Sequence, residues 1–176
     1  INTLEREEID ELRTEIGFLF QGSALYDSMS VRENLEFPLR RHTKKFGKIE
    51  DTTPLVIEAL ESVGLANAIN LMPNELSGGM KRRIALARTL ILKPKIILYD
   101  EPTTGLDPIT SKEIILLMKS IQEKYNTSSI IITHDVDCAK AIANRMILLI
   151  DGINYIEGTF DELNASNDPK VQAFFK

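Results

Sequence analysis

The apolar residues change their spacing along the chain, and each spacing predicts a type of element. The first part of the chain is predicted to contain a short amphipathic helix, a strand and a helical block, at residues 4–13, 16–20 and 31–92. Breaks within the helical block are predicted at Pro38, at residues 44–47 and at Pro73-Asn74. Gly64 is expected to end one of these helices, because glycine readily adopts the left-handed conformation needed there.

After Pro94 the pattern alternates between short apolar runs and helical stretches. This alternation predicts right-handed βαβ units and a mostly parallel sheet. Residues 96–101 and 129–133 are the two runs expected to form buried strands. Between them, residues at helical spacing are interpreted as core packing: Ile114, Leu117, Met118 and Ile121. Asp151-Gly152 predicts a hairpin turn, and residues 160–175 are expected to form helix and turn.

Composition indicates a globular chain. The chain has 176 residues, enough for about one domain, of which 43% are hydrophobic and 27% charged. The net charge of -5 argues against nucleic acid as the main partner. A small basic cluster is interpreted as a solvated loop: His42, Lys44, Lys45 and Lys48. No apolar run approaches the roughly 18 residues of a membrane span. The single Cys138 is expected to be a small buried hydrophobe in a reducing compartment.

Ser77-Gly78-Gly79 precedes a run of good helix formers. Ser77 is predicted to cap the helix, and the glycines let a ligand approach the unpaired N–H groups at the positive end of the helix dipole. This pattern favours an anion-binding site, with an ordinary capped surface helix as the alternative. Lys81, Arg82 and Arg83 are expected on the exposed side of this helix.

Two acidic residues end the first predicted buried strand. Asp100 suits a Mg²⁺ ion, held directly or through water, at the edge of the sheet where ligands bind in open α/β folds. Glu101 is then expected to face a phosphate and to act as general base on an attacking water. His134 follows the second strand and is placed to hydrogen-bond a phosphate oxygen or that water, although an isolated histidine is more often structural.

Four stretches, in this order and spacing, resemble motifs of the ABC-type ATPases. They are a Q-loop at Phe18-Leu19-Phe20-Gln21, a signature at Leu76-Ser77-Gly78-Gly79-Met80, a Walker B strand and D-loop at residues 98–108, and an H-loop at Thr133-His134-Asp135. The resemblance extends over essentially the whole chain. It implies an α/β fold of the P-loop NTPase type, with a mostly parallel sheet flanked by helices and a helical subdomain.

The resemblance also implies ATP and Mg²⁺ as cofactors, and a homodimer that encloses ATP. Ser77, Gly78 and Gly79 are expected to complete the phosphate site of the partner protomer. A place for one of the adjacent basic residues near its nucleotide is the alternative to their solvated position. Gln21 is expected to contact Mg²⁺ or the attacking water and to report nucleotide state to a transmembrane permease. Asp107 is expected on the dimer seam, and also fits the N-terminal acid of a helix.

The family's organisation implies three regions. These are a RecA-like core at residues 1–27 and 93–160, a helical subdomain with the signature at residues 28–92, and a C-terminal helix or tail at residues 161–176. Residues 23–40 are expected to form the groove that receives a short cytoplasmic helix of the permease. Tyr26, Met29 and Phe37 are candidates for that contact and, equally, for the core.

One departure from the family is large. ATP binding of this type needs a glycine-rich loop with Lys-Ser/Thr, and the one Gly-Lys pair, Gly47-Lys48, is followed by Ile49. In the family this loop lies upstream of the Q-loop. The chain is therefore expected to be an N-terminally truncated piece of a longer product, and to be inactive as an ATPase by itself.

A narrower resemblance is to the Mce/Mla-type ATPases, which power phospholipid trafficking between envelope membranes. It rests on residues 17–31, 37–40, 79–83 and 167–175, including Met80 in place of a glutamine. It implies a peripheral location on the cytoplasmic face of the inner membrane. The alternatives are an ABC ATPase for another substrate, a soluble ABC ATPase acting on DNA or ribosomes, which the acidic charge disfavours, and a catalytically incomplete module that pairs with an intact subunit.

Overall fold

The structure, a computed structural model, describes residues 3–47 and 49–175. Contacts divide the chain into two compact units, Ile1–Ile132 and Thr133–Lys176. The helices are α1 (Arg6–Glu15), α2 (Val31–Arg41), α3 (Thr43–Phe46), α4 (Thr53–Ser62), α5 (Gly78–Leu90), α6 (Pro108–Tyr125), α7 (Val136–Ile142), α8 (Phe160–Asn164) and α9 (Pro169–Phe175). The strands are β1 (Ile16–Leu19), β2 (Ile96–Asp100), β3 (Ser128–Ile132), β4 (Met146–Ile150) and β5 (Ile153–Gly158).

The first unit contains a parallel sheet in the order β1-β2-β3. Leu19 lies opposite Tyr99, which in turn lies opposite Ile131. The predicted parallel sheet is therefore confirmed, and the carboxyl ends of all three strands meet at one edge.

The described helices of the first unit cover one face of this sheet. Ile97 and Tyr99 on that face are buried, whereas Phe18, Ile130 and Ile132 on the opposite face are exposed. Successive side chains of a strand point to opposite faces, so the prediction of wholly buried strands is right for one face and wrong for the other.

Helix α5 forms the centre of the helical block. It contacts α2, α4, α6 and β1, and its residues Ile84 and Leu86 are fully buried. The predicted core stripe of α6 is confirmed for Ile114, Met118 and Ile121, which are buried, whereas Leu117 is only partly buried. Burial of these apolar side chains is the main favourable contribution to the stability of the unit.

The predicted break at Pro38 is wrong, because α2 continues through it. Pro38 cannot donate to the carbonyl of Asn34. However, the buried residues Val31, Leu35 and Leu39 lie on both sides of the proline along one face of the helix, so packing keeps the helix intact.

The predicted break at residues 44–47 is wrong for 44–46, which α3 occupies, and right for Gly47, where that helix ends. Gly47 follows α3 with φ of 70°, and Gly64 lies two residues after the end of α4, also with φ of 70°. A short 3-10 helix occupies Pro73–Glu75. Lys48 and the side chains of Lys44 and Lys45 lie outside the described residues, so the basic cluster stays a prediction.

The second unit contains the predicted hairpin. Strands β4 and β5 pair antiparallel, and Asp151 and Gly152 between them have φ of 53° and 78°, as a type I′ turn requires. Cys138 on α7 is fully buried, as predicted. Among residues 3–47 and 49–175, no helix combines the length and apolar character needed to cross a bilayer.

Candidate active site

Two carboxylates lie at the carboxyl end of β2. Asp100 is its last residue, and Glu101 follows with φ of 47°, a conformation uncommon for residues other than glycine. The Glu101 N–H donates to the carbonyl of Ile132 at 2.9 Å, and the Thr104 hydroxyl donates to the Glu101 carboxylate at 2.8 Å. The acidic turn is therefore held both to the neighbouring strand and by its own loop.

Gln21 lies at the same edge of the sheet. It is exposed and follows β1 by two residues, and β1 ends opposite Tyr99, the residue before Asp100. The structure thus places Gln21, Asp100 and Glu101 at the same edge of the sheet in the first unit, and their roles stay predictions.

Ser77 caps α5, as the sequence predicted. Its hydroxyl oxygen accepts a hydrogen bond from the Met80 N–H at 3.2 Å, and Ser77 and Gly78 are both exposed. As the first two residues of the helix, Gly78 and Gly79 have N–H groups without an intrahelical acceptor. This end of α5 is thus able to receive an anion.

Asp107 is the N-cap of α6. Its carboxylate accepts hydrogen bonds from the N–H groups of Ile109 and Thr110, both at 3.0 Å, and from the Thr110 hydroxyl at 2.5 Å. The hydrogen bonds from Thr110, chiefly that of its side chain, lower the pKa of Asp107. The helix-capping interpretation is therefore confirmed, and a place on a dimer seam stays a prediction.

The position of Arg82 differs from the one predicted from the sequence. Arg82 was expected on the exposed side of α5, but it is only 4% exposed. Its guanidinium donates to the carbonyl of Phe20 at 2.8 Å and to that of Thr104 at 3.3 Å. Burial lowers the pKa of Arg82, and the charge of Asp100 raises it in part. No local signal separates Arg82 from its basic neighbours, because its burial depends on contacts with distant segments.

The segment after Gln21 presents two aromatic rings. Tyr26 and Phe37 are partly exposed and their ring centroids lie 4.9 Å apart. Asn34, a fully buried residue of α2, accepts from the Tyr26 N–H at 2.8 Å and donates to the carbonyls of Tyr26 and Met29 at 3.1 and 3.0 Å. Tyr26 and Phe37 are thus available for contact, with a loop ordered beneath them by an asparagine that sequence reasoning missed.

His134 belongs to the second unit. It follows β3 and precedes α7, which Asp135 caps by accepting a hydrogen bond from the Cys138 N–H at 3.0 Å. The geometry that joins Gln21, Asp100 and Glu101 lies within the first unit, so a role of His134 at this site stays a prediction.

Comparison with known proteins decides the family. Residues 1–104 match the family described as "ABC transporter". The chain belongs to this family. The match includes the Q-loop, signature and Walker B residues described above.

Curated relatives from the family carry two kinds of transport name. The chain is 42% identical to the intermembrane phospholipid transport system ATP-binding protein MlaF of Haemophilus influenzae, over 98% of the chain and 65% of that protein. It is 39% identical to the probable ribonucleotide transport ATP-binding protein mkl of Mycobacterium leprae, over 96% of the chain and 48% of that protein. The chain thus spans about two thirds or less of the length of these relatives.

A solved structure shares the fold. It is a dimeric ATP-binding cassette in a post-hydrolysis state bound to ADP and Pi, with a TM-score of 0.77 and 34% sequence identity over 90% of this chain and 69% of that one. The predicted α/β fold of the ABC ATPases is confirmed, and with it the nucleotide-binding character of the family. The proposed division into core, helical subdomain and tail stays a prediction.

Proposed function

We propose that the whole protein is the ATP-binding and ATP-hydrolysing subunit of an ABC transporter that powers phospholipid transport across or between envelope membranes. The observation that carries the proposal is the convergence of Gln21, Asp100 and Glu101 at one edge of a parallel sheet. ATP hydrolysis of this kind also needs a glycine-rich phosphate loop, which residues 1–176 do not contain. The proposal therefore concerns the whole protein.

Asp100 and Gln21 fit a Mg²⁺ ion that is shared with ATP. Within the described residues, no three His, Cys, Asp or Glu side chains are grouped to hold a metal ion. Mg²⁺ usually needs only one or two carboxylates, because substrate phosphates and water supply its other ligands. The partly exposed Asp100 at the end of β2 meets that requirement. A bound Mg²⁺ would neutralise charge on the transferred phosphate.

Glu101 is the proposed general base. Its carboxylate accepts a hydrogen bond from the Thr104 hydroxyl at 2.8 Å, and its backbone N–H donates to the Ile132 carbonyl at 2.9 Å. A carboxylate held in one orientation can accept a proton from an attacking water without first being reoriented. His134 is proposed to assist by hydrogen bonding to the phosphate or the water.

Ser77, Gly78 and Gly79 are proposed to bind the phosphates of ATP held by a second protomer. Ser77 and Gly78 are exposed and Gly79 is partly exposed, so the Ser77 hydroxyl and the first N–H groups of α5 can donate to an anion across an interface. Asp107 is proposed to lie on the same interface. The functional form is then a homodimer, without nucleic acid as a partner.

The aromatic pair of Tyr26 and Phe37 is proposed to contact the permease. It lies on the segment that continues directly from Gln21, so contact with a membrane subunit there would act on the hydrolysis site through a short stretch of chain. The protein would then be peripheral, on the cytoplasmic face of the inner membrane. Phospholipid is proposed as the substrate because the Haemophilus influenzae relative, at 42% identity, is named for a phospholipid transport system. Identity alone does not separate the two substrates, since another phospholipid-system relative is 37% identical and the ribonucleotide-system protein is 39% identical.

The test uses the whole natural protein, purified with its membrane partners and reconstituted into phospholipid vesicles. We expect Mg²⁺-dependent ATP hydrolysis and ATP-dependent movement of labelled phospholipid, both abolished by Glu101→Gln. Glu123→Gln on the exposed surface of α6 makes the same chemical change and should leave both intact.

Three results would contradict parts of the proposal. Unchanged hydrolysis in Glu101→Gln would remove the role of Glu101. Hydrolysis stimulated by ribonucleotide and not by phospholipid would replace the substrate. Absence of hydrolysis in the whole wild-type complex would instead favour a non-catalytic pairing module.

A further inference from the structure

The guanidinium of Arg82 connects three segments that are distant in sequence. Arg82 lies on α5, five residues after the cap Ser77. One terminal nitrogen donates to the carbonyl of Phe20 at 2.8 Å, and the other donates to the carbonyl of Thr104 at 3.3 Å. The signature helix is thereby attached to the end of β1 and to the loop that follows β2.

Burying the Arg82 guanidinium to hydrogen-bond two carbonyl groups costs free energy. Arg82 is 4% exposed, and its Nε is buried without a hydrogen-bond partner among the described residues. Burying a charge without a hydrogen-bonded counterion, and leaving one donor unused, both oppose folding. What distinguishes arginine from smaller donors is a rigid planar fork that can hold two acceptors at a fixed separation.

Each of the two acceptor carbonyls is linked directly to a proposed hydrolysis residue, one to Gln21 and the other to Glu101. The Phe20 carbonyl belongs to the peptide bond that Phe20 shares with Gln21, and this unit is planar, so its orientation sets the direction of the Gln21 N–H. Thr104 carries the hydroxyl that donates to the Glu101 carboxylate at 2.8 Å. The guanidinium of Arg82 thus connects the signature helix α5 to both Gln21 and Glu101.

We propose that Arg82 is a positioning residue for ATP hydrolysis, which fixes Gln21 and Glu101 relative to the signature helix. The proposal rests on the ATPase function proposed above. A displacement of α5 when its N-terminus meets a phosphate would be passed to both residues, because the helix between Ser77 and Arg82 is continuous.

The experiment compares Arg82→Lys with Arg83→Gln in the reconstituted whole protein. A lysine keeps the charge but is a single point donor, so it cannot hold both carbonyls in one geometry. Arg83 is the matched control, since it lies on the same helix but donates to the carbonyl of Val63 at 3.3 Å and pairs with Glu113 at 2.7 Å. For each variant, kcat and KM for ATP are measured together with the thermal unfolding midpoint.

We expect Arg82→Lys to lower kcat by roughly tenfold or more with KM within about twofold, since small misplacements of reacting groups are costly. Arg83→Gln is expected to lower the unfolding midpoint with little effect on kcat. If kcat in folded Arg82→Lys matched that of the wild type or of Arg83→Gln, Arg82 would be merely structural. If the wild type did not hydrolyse ATP, the proposed function would fail first.

Thr104→Val provides a second, independent variant. It removes the hydroxyl that links Thr104 to Glu101 and leaves the buried charge in place, so it decides the matter even if Arg82→Lys does not fold. We expect a fall in kcat there as well, with Thr104→Ser restoring it. Where both variants fold, combining Arg82→Lys with Thr104→Val should lower kcat by less than the product of the single effects, because both interrupt one path. A wild-type kcat in Thr104→Val would overturn the proposal.

Discussion

Gly79 packs directly against Thr110. A Cβ atom at Gly79 would lie 2.6 Å from the Cγ2 methyl of Thr110, which is well inside van der Waals contact. The second glycine of the signature is thus needed for α5 and α6 to approach each other, whatever it does for a ligand. This separates its role from that of Gly78, where an added Cβ would meet only Leu106 at an ordinary 3.6 Å.

Gly79→Ala is expected to destabilise the fold by about 1–3 kcal/mol, the usual range for overpacking. The measurement is the free energy of unfolding from a urea titration of the whole protein. Thr110→Ser removes the clashing methyl group and keeps a hydroxyl. In the wild type the Thr110 hydroxyl donates to the Asp107 carboxylate at 2.5 Å, and serine can make the same bond. The double variant should therefore recover most of the loss. Equal destabilisation with and without Thr110→Ser would contradict this contact as the cause.

Gly78→Ala is expected to leave the free energy of unfolding within about 0.5 kcal/mol of wild type, as for a surface substitution. It should nevertheless weaken ATP-dependent dimerisation, because a methyl group beside the exposed first-turn N–H groups hinders the approach of a phosphate. Sedimentation velocity with ATP, in a Glu101→Gln background that prevents turnover, measures the effect. Wild-type dimerisation would argue against a role for Gly78 in trans.

The ends of the elements at the candidate site were predictable from sequence because their determinants are local. Ser77 and Asp107 cap their helices through residues two or three positions away, and the apolar run before Asp100 marks a strand. The burial of Arg82 was not predictable, since its acceptors lie at Phe20 and Thr104. The wrong break at Pro38 has the same origin, because the packing that maintains α2 is tertiary.

Acid should weaken the cap at Asp107. Its folded-state pKa is below the ordinary value of 3.8, chiefly because of the hydrogen bond from Thr110. A carboxyl whose pKa is lower in the folded state contributes stability that is fully present above the unfolded pKa and is lost as pH falls through the folded pKa. We therefore expect the thermal unfolding midpoint to decrease as the pH is lowered below about 4.

Asp107→Asn tests this assignment. Asparagine is also a good N-cap, so stability near pH 7 should change little, while the fall in the unfolding midpoint below about pH 4 should become smaller. Part of the fall should remain, because hydrogen bonds from Ser30 lower the pKa of Glu33 in the same direction. An unchanged acid profile would mean that Asp107 does not contribute to it.

The loop after Gln21 contains two residues in the strained left-handed conformation, and Arg88 hydrogen-bonds to both. Ser23 and Ala24 have φ of 63° and 47°, and each such left-handed residue costs about 1–2 kcal/mol. The Arg88 guanidinium donates to the carbonyl of Ala24 at 2.8 Å and to that of Ser23 at 3.1 Å. If these hydrogen bonds maintain the strain, removing them should change how much a glycine at position 24 stabilises the protein.

Ala24→Gly alone should stabilise the protein by about 0.5–1 kcal/mol, the relief of strain less the added flexibility of the unfolded chain. Arg88→Met alone should cost about 2 kcal/mol, since it deprives two carbonyls of a charged donor. In the Arg88→Met background the loop is free to relax, so the gain from Ala24→Gly should largely vanish. Free energies of unfolding for the four proteins form a double-mutant cycle. Additivity within about 0.5 kcal/mol would mean that the strain is maintained by other contacts than those of Arg88.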